Sequence, residues 1–323
     1  MDQTNYIKVD TSCQIYELSD GNYLMPGCKF SIKNGSVNSA FLLSDNIDKG
    51  IQFLQDTRVP NIYLDTYNGY NLQDTNCLFS LPDITGVFIR GSWMDKSGLH
   101  SLNGLHRLEV DDWNSDVDLS VFPEIQFFSG YCCENLIMPF EFPKMEKLRL
   151  WKYKKNDMTS FPVSPNIRSL QLIQSKLKNL EGIELLNNSL QYLSIGYCRS
   201  LMDLNAILKL NLLALELQSI PIVEQLPMLL PQCSSLLGIS IDCPSKVLPS
   251  LVFLNRMANL KCFVGLLKDI SDGDLTPTVR LDNVWIPIIR RHYNLQKLSN
   301  KYNTTWMDWL KQEGMYKWWP SSR

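Results

Sequence analysis

Three stretches of the sequence obey one rule: MEKLRL (145–150), IRSLQL (167–172) and LQYLSI (190–195). Each has an apolar residue, two variable residues, a second apolar residue, one variable residue and a final apolar residue. The last two apolar residues are expected to point inward from a strand, because successive strand side chains face opposite sides. A short unit of this kind cannot bury its apolar face alone, so neighbouring units are expected to stack into a solenoid.

The same pattern of apolar residues recurs over most of the chain. We take the first residue of each inward pair as an anchor. Successive anchors are 17 to 25 residues apart, and the period of about 22 residues excludes the longer tetratricopeptide and armadillo repeats. The anchors are Ile62, Val87, Leu108, Ile125, Leu148, Leu170, Leu193, Leu215, Ile239, Phe263 and Val284.

These units resemble the leucine-rich repeat family, whose signature is L-x-x-L-x-L-x-x-N/C-x-L. Leu190, Leu193, Ile195 and Cys198 occupy the signature positions, and Leu201 follows with one extra residue. The resemblance covers roughly residues 55 to 290 and is strongest from 142 to 245. The SDGDL turn at 271–275 and the RRHY stretch at 290–293 are similar to the tail of uncharacterised bacterial members.

The resemblance implies an α/β fold, a solenoid of about 10–11 coils of roughly 22 residues, with parallel strands forming a concave binding sheet. A right-handed coil follows from the handedness preference of parallel strand crossovers. The predicted organisation is an N-terminal cap at 1–55, the solenoid at 56–290 and a Trp-rich C-terminal cap at 291–323. Within the first cap, the spacing of Ile47, Ile51 and Leu54 predicts an amphipathic helix over 46–55.

Several positions depart from the family pattern. The place of the ladder-forming Asn or Cys is taken by Trp113, Tyr153, Ser175 and Ile220 in other units. The interval of 17 residues before Ile125 is short for a coil, and Gly265 stands where an apolar residue is expected. These two units are therefore the least regular of the predicted array.

The Trp-rich C-terminus contains Trp306, Trp309, Trp318 and Trp319 within WMDWLKQEGMYKWWP. The simpler interpretation is a capping helix that packs against the last coil. The alternative is a contact with a partner or a second copy of the chain, because exposed Trp residues are typical of interfaces. Otherwise we expect a monomer.

Composition excludes several classes of protein. The chain has 323 residues, of which 20% are charged, and its net charge of −2 is unlike that of a nucleic-acid-binding protein. The N-terminus lacks the pattern of a secretory signal, and no apolar run has membrane-spanning length. Nine cysteines without a paired framework suit a reducing compartment. We therefore expect a cytoplasmic protein that binds neither nucleic acid nor membranes.

The sequence contains no motif that indicates an enzyme. It lacks a phosphate-binding loop, a dinucleotide fingerprint and the spacing of a metal site, so no catalytic residue, metal or cofactor is expected. A hydrolase that uses His106 or Cys132 remains the least favoured alternative, because repeat strands often carry such residues as surface decoration.

The outward positions instead suggest protein binding. Aromatic and Arg side chains are enriched at interface hot spots, and acidic residues outnumber basic ones on this face, which indicates a basic partner. An ordinary solvated sheet face is the competing interpretation. The predicted partner-binding residues are Tyr63, Asp65, Phe88, Arg90, Glu109, Asp111, Trp113, Phe128, Arg149 and Trp151.

Two functions are compatible with such a face. The first is a cytosolic binding module, in its most concrete form a bacterial immunity or inhibitor protein that sequesters a toxin. The second is an effector or adhesin of leucine-rich repeat type that acts on a host protein. The sequence does not identify the partner in either case.

Overall fold

A computed structural model of the protein describes residues 7–10, 15–33, 36–91, 95–113, 116–134, 136–295 and 305–315. The chain divides into two compact units, Met1–Pro139 and Phe140–Arg323, which we call unit 1 and unit 2. Among the described residues, no helix is long and apolar enough to cross a membrane.

Unit 1 begins with an antiparallel meander and continues as a parallel sheet. β1 to β5 pair antiparallel in chain order, and β5 to β9 pair parallel. The amphipathic helix predicted over 46–55 is present as α1 (Ile47–Thr57), between β5 and β6, and buries Leu54. The strands are β1 (Ile7–Asp10), β2 (Ile15–Glu17), β3 (Tyr23–Met25), β4 (Cys28–Lys33), β5 (Ser36–Leu42), β6 (Asn61–Asp65), β7 (Gly86–Arg90), β8 (Arg107–Asp111) and β9 (Phe127–Tyr131).

Unit 2 consists of parallel strands throughout. Most returns between strands run through short 3₁₀ turns, and a four-residue helix, α2 (Leu226–Leu229), lies in one of them. A second helix, α3 (Trp306–Gln312), follows the last strand. The strands are β10 (Lys147–Trp151), β11 (Ser169–Ile173), β12 (Tyr192–Gly196), β13 (Ala214–Gln218), β14 (Gly238–Leu248), β15 (Cys262–Ile270) and β16 (Asn283–Trp285).

The strand register confirms the predicted anchors in all but one coil. Leu148, Leu170 and Leu193 stand beside one another, for example, and each is fully buried. We call the sheet side that carries these anchors inward and the other side outward. This arrangement of parallel strands and short returns is a leucine-rich repeat fold.

The exception is the coil of β9. Phe128, rather than Ile125, pairs with Leu108 and is buried at 0% exposure. With this anchor, the intervals on both sides of Phe128 are 20 residues, and the short coil predicted at Ile125 disappears. The prediction that Phe128 points outward was therefore wrong. Ile125 instead fills the core just before the strand, at 3% exposure.

One parallel strand, β5, was not predicted from the sequence. Ala40 of β5 pairs in register with Ile62, so it is an anchor one coil earlier than the first one predicted. Because Ala is a small residue, it gives a weak apolar signal in a repeat otherwise dominated by Leu, Ile and Val. The outward residue next to it, Phe41, consequently belongs to the sheet face.

A second regular feature is a capping residue in the segment that connects one strand to the next, found in many of the coils. In each case its side chain accepts a hydrogen bond from the backbone N–H two residues later, a turn that Asp and Asn favour. The spacing of these residues near that of the anchors could have revealed them in the sequence. They are Asp74, Asp95, Asp118, Asp157, Asn179, Asp203 and Asp274.

Two of the irregular positions have a local explanation. In the coil of β8, the side chain that turns inward is Asp112, at 3% exposure, whereas Trp113 is 67% exposed. The predicted ladder position in this coil was therefore wrong by one residue. At the other position, a Cβ on Gly265 would lie 2.9 Å from the Phe263 ring, so that ring already fills the space of the missing side chain.

The helix of the Trp-rich segment, α3, packs on the outward face of the sheet in unit 2. Its cluster reaches the last strand through Trp285 of β16 and extends back to Tyr192 of β12. Trp309 is fully buried, and its ring stacks on Trp306 with centroids 5.0 Å apart. A Cβ on Gly238 of β14 would stand 2.2 Å from the Trp309 ring, so this contact requires glycine. Trp318 and Trp319 lie outside the described residues.

Candidate binding face

A row of aromatic rings crosses the outward face of unit 1. Phe41, Tyr63 and Phe88 occupy matching positions on β5, β6 and β7. The ring centroids of Phe41 and Tyr63 are 4.5 Å apart, and those of Tyr63 and Phe88 are 5.3 Å apart. All three rings are half-buried, and burial raises the pKa of Tyr63. Parallel pairing in register therefore converts single residues in three coils into one continuous apolar row.

On β8, charged residues occupy the positions next to the aromatic row. Glu109 pairs with Phe88 in the register, and Arg107 donates from Nε to its Oε1 atom at 2.9 Å. The Arg107 guanidinium also lies over the Phe127 ring, 4.7 Å from its centroid. Glu109 is only 7% exposed, and the Arg107 guanidinium balances its charge within unit 1.

Asp65 is likewise engaged inside unit 1. Its carboxylate accepts hydrogen bonds from the Tyr67 N–H at 2.9 Å and the Asn68 Nδ2 at 2.7 Å, which caps a 3₁₀ turn. At 3% exposure it contributes little to the surface. Two of the acidic residues predicted to attract a basic partner are therefore directed at this chain's own groups.

The strand ends of unit 1 form an exposed rim. Arg90 donates from Nε to the Asp111 Oδ2 atom at 3.0 Å and lies over the Tyr67 ring. Beyond this pair, the exposed Trp113 stacks on Tyr131, with centroids 5.0 Å apart. Burial, and then the charge of Asp111, raise the pKa of Tyr131. The rim thus combines two stacked rings with a salt bridge.

A buried ion pair supports this rim. The Lys96 Nζ atom lies 3.1 Å from the Asp112 Oδ2 atom, and the two side chains are 3% and 1% exposed. Because Asp112 directly precedes Trp113, the pair fixes the loop that presents the exposed ring. The sequence contains both residues but no sign that they meet, since they belong to successive coils.

The two predicted site residues of unit 2 form their own group on β10. Arg149 donates from Nε to the Gln171 Oε1 atom at 2.7 Å, and its guanidinium lies 4.8 Å from the centroid of Trp151. Both side chains are half-buried on the outward face. They are therefore held in place by neighbours on their own sheet.

Farther along unit 2, α3 covers the outward face. It packs against Tyr192, Ala214, Cys262 and Val264, which belong to β12, β13 and β15. The helix is capped by Thr305, whose Oγ1 atom accepts the Asp308 N–H at 3.2 Å. Outward residues on this part of the sheet are consequently withdrawn from solvent.

A polar cluster is buried in the same region. Glu216, at 4% exposure, accepts hydrogen bonds from the Tyr192 hydroxyl at 2.5 Å, Ser194 Oγ at 2.9 Å and Gln218 Nε2 at 2.8 Å. Burial raises the pKa of Glu216 despite these donors, and it raises that of Tyr192. The hydrogen bonds satisfy the carboxylate but do not replace all the water that it has lost.

This buried carboxylate predicts a pH dependence of stability. The folded state binds the Glu216 proton more readily than the unfolded chain does, so the stabilising contribution of Glu216 is greatest below its unfolded pKa and is lost as pH rises through the folded value. As pH rises above about 4.5, the ordinary pKa of Glu, wild type should therefore lose melting temperature relative to Glu216→Gln. Thermal unfolding of both proteins at each pH measures this difference, and the exposed Glu224→Gln is the matched control. A constant difference between wild type and Glu216→Gln would contradict the prediction.

The two residues of the hydrolase alternative lie beside different strands. His106 is exposed just before β8, and Cys132 is half-buried just after β9. In the part of the chain that the structure describes, no three His, Cys, Asp or Glu side chains converge closely enough to hold a metal ion.

Sequence reasoning missed several residues of this face, namely Phe41, Tyr67, Arg107, Phe127 and Tyr131. Phe41 was missed because β5 had been assigned to the N-terminal cap. Phe127 and Tyr131 were missed because the predicted anchor of β9, Ile125, lies three residues before the anchor in the structure, Phe128. Phe128 lies 20 residues from the anchors on either side, which is closer to the average interval of about 22 than the 17 residues between Leu108 and Ile125. This comparison would have indicated the correct register of β9.

No protein-family model matches the sequence, and no curated protein matches it. Among solved structures, the chain is similar to a leucine-rich repeat protein of Leptospira interrogans, with 16% identity and a TM-score of 0.44 over 79% of this chain and 66% of that one. It is also similar to an internalin of Listeria monocytogenes, with 17% identity and a TM-score of 0.39 over 77% of this chain and 73% of that one. The chain thus spans just under two thirds of the Leptospira protein.

Proposed function

We propose that this leucine-rich repeat protein binds another protein through the outward face of unit 1. The observation that carries the proposal is the row of Phe41, Tyr63 and Phe88, three half-buried rings in contact along adjacent strands. An apolar row on a sheet face of a soluble protein typically marks an interaction surface. The rim of Arg90, Asp111 and Trp113 lies at the strand ends and adds a surface salt bridge and an exposed ring. Polar groups of this kind are typical of the edge of an interface.

The proposed face differs from the predicted one in its composition. Tyr63, Phe88, Arg90, Asp111 and Trp113 remain, joined by Phe41 and Tyr131. Phe128 is excluded because it lies in the core. Asp65 and Glu109 act as internal supports, and Arg149 and Trp151 stay a separate proposal on unit 2.

The more specific proposal is that the partner is a toxin sequestered by this protein as an immunity protein. A rigid face built of aromatic anchors supports tight binding, because well-packed aromatic and Arg residues dominate interface energies. The exposed Asp111 and Asp116 favour a basic partner through steering rather than through buried charge. An effector or adhesin would use the same face on a host protein.

Affinity capture tests this proposal. Wild type, Tyr63→Ala/Phe88→Ala and Phe79→Ala would each be immobilised and exposed to lysate of the native organism. Phe79 is the matched control because it is a ring of unit 1 that is 61% exposed in a return, away from the sheet face. We expect a partner that wild type and the control recover equally, and that the double variant recovers at least tenfold less, since hot-spot losses are about 2 kcal/mol or more.

The outcomes separate the possibilities. Equal capture by the double variant, with its circular dichroism unchanged, would contradict binding at this face. A captured protein that is toxic when expressed alone, and harmless when co-expressed with this chain, would support the immunity proposal. A partner found only in lysate of a host organism would support the effector alternative.

A further inference from the structure

The outward face of unit 1 continues past the aromatic row into the antiparallel meander. Phe41 of β5 pairs with Lys29 of β4. Lys29 in turn pairs with Leu24 of β3, which pairs with Tyr16 of β2. Residues that stand directly opposite each other on neighbouring strands share one side of the sheet, and all of these side chains are partly exposed. We call the full set the extended row: Tyr16, Leu24, Lys29, Phe41, Tyr63 and Phe88.

Helix α1 covers the opposite side of the meander. Phe30 of β4 is 3% exposed, and its ring centroid lies 4.7 Å from that of Phe53 in α1 and 5.6 Å from that of Tyr23 in β3. Neighbouring residues of a strand face opposite sides, so Phe30 and Lys29 belong to different faces. The helix therefore supports the sheet from the inward side and leaves the extended row on the outward side.

The extended row is narrow and mostly apolar. Lys29 is its one charged member, and the Lys29 ammonium lies 2.8 Å from the Asp20 carboxylate. Polar residues line one flank of the row, where Ser31 and Ser39 share a hydrogen bond at 3.1 Å and Ser39 pairs with Asn61. An apolar stripe with polar sides is also the pattern of an amphipathic helix, so the two surfaces are complementary in width.

The length of the extended row sets the size of an element that lies along it. Five strand intervals of about 4.8 Å separate β2 from β7, which gives about 24 Å. An α-helix of about 16 residues spans this distance at a rise of about 1.5 Å per residue. Successive apolar residues on one face of such a helix are about 5–6 Å apart. This spacing is close to the 4.5 and 5.3 Å between the ring centroids of Phe41, Tyr63 and Phe88.

The backbone of the sheet favours a helix over an extended segment. Strands β2 to β7 each pair with two neighbours, so their N–H and C=O groups are directed within the sheet. A segment that lies on the face must therefore satisfy its own backbone groups, which a helix does internally. The outward face of unit 2 is occupied in this way, since α3 packs on it through Trp306 and Trp309.

We propose that an amphipathic helix of the protein partner docks along the extended row, from the aromatic rings into the meander. This inference rests on the function proposed for unit 1 and names the element that the partner contributes. The docked helix has about four turns. Its apolar residues face the three rings at one end and Leu24 and Tyr16 at the other, and a polar residue between them faces Lys29. This is the helix-in-groove mode of recognition, in which anchors recur at helical spacing.

Site-specific photo-crosslinking tests the proposal. Phe88, Leu24 and, as a control, the exposed Phe79 are each replaced by p-benzoylphenylalanine in the full chain. Each variant is irradiated in lysate of the native organism, and the crosslinked peptides are sequenced by mass spectrometry. We expect the Phe88 and Leu24 variants to crosslink to one segment of one partner, and the Phe79 variant to leave that segment unlabelled.

The separation of the two crosslinks in the partner sequence identifies the type of segment. Phe88 and Leu24 are four strand intervals apart, or about 19 Å. The labelled partner residues should therefore be about 13 positions apart in a helix, but only about 6 positions apart in an extended segment.

Alanine variants measure the contribution of the meander. Tyr16→Ala/Leu24→Ala should recover at least about fivefold less of the crosslinked partner than wild type does, because both side chains lie under the proposed helix. Ile32→Ala is the matched control, since Ile32 is an apolar residue of β4 that is 45% exposed and outside the extended row. Circular dichroism establishes that the variants are folded, and the Leu24 crosslink decides the question if the double variant is not.

The outcomes distinguish this inference from the function on which it rests. A crosslink from Phe88 without one from Leu24, or full recovery by folded Tyr16→Ala/Leu24→Ala, would overturn the inference and leave binding at the aromatic row intact. A separation of about 6 residues, or labels on unconnected segments, would replace the helix by a strand or by a composite surface. No partner crosslink from Phe88 would contradict both proposals.

Discussion

Replacement of Trp309 by alanine is expected to destabilise the protein by about 3–5 kcal/mol, the usual cost of truncating a fully buried aromatic residue. Trp309 is 0% exposed and joins α3 to the outward sheet face. Its loss removes the ring that stacks on Trp306 and covers Gly238. Chemical denaturation followed by circular dichroism measures the change, and the exposed Trp113→Ala is the control, with an expected effect within about 0.5 kcal/mol.

A second variant distinguishes helix docking from a general loss of core. Gly238→Ala adds a methyl group where the Trp309 ring already lies, so it should displace α3 without removing Trp306 or Trp309 from the sequence. Cys262 is fully buried in the same cluster, and burial raises the pKa of its thiol. Alkylation of Cys262, read by peptide mapping, should therefore accelerate in both variants. Normal stability and an unreactive Cys262 in Trp309→Ala would refute the docking described here.

The second large effect is expected at the buried ion pair of unit 1. Asp112→Ala removes the carboxylate paired with the Lys96 ammonium, whose side chain is 3% exposed, and breaking a buried pair in this way typically costs about 3–5 kcal/mol. The neighbouring Asp111→Ala is a close control, because Asp111 is 47% exposed and its salt bridge with Arg90 lies at the surface. Urea unfolding of the two variants should separate them clearly.

The double variant Lys96→Met/Asp112→Leu tests the cause of this loss. The double variant no longer buries the Lys96 charge without the Asp112 carboxylate, so it should recover much of the stability lost in Asp112→Ala. If Asp112→Ala and Asp111→Ala were equally stable, the loop before Trp113 would not depend on the pair. Recovery in the double variant, together with weaker partner capture, would instead show that the pair positions Trp113 for binding.

Some features of the chain could be predicted because they depend on local spacing. The anchors recur with the coil period, and each signals one inward strand position, so the repeat architecture and most of the register were readable from apolar residues alone. The helix α1 was readable for the same reason, through its spacing of Ile47, Ile51 and Leu54.

The register of β9 shows the limit of this approach. Both Ile125 and Phe128 are apolar and both are buried, at 3% and 0% exposure, so the sequence allowed two alignments. Pairing with Leu108 selected Phe128. That pairing is a contact between residues of different coils, and apolar character alone cannot choose between two candidates three residues apart.

Taken by itself, the amino-acid sequence determined that this protein is built from stacked coils, because burying an apolar pair in every unit requires neighbouring units. Only the tertiary structure decided which outward residues are available. It paired Glu109 with Arg107, buried Asp112 against Lys96 and laid α3 over the sheet of unit 2. The last two contacts join distant residues: Lys96 and Asp112 are 16 positions apart, and Trp309 is 117 positions from Tyr192. No short-range pattern encodes such distances.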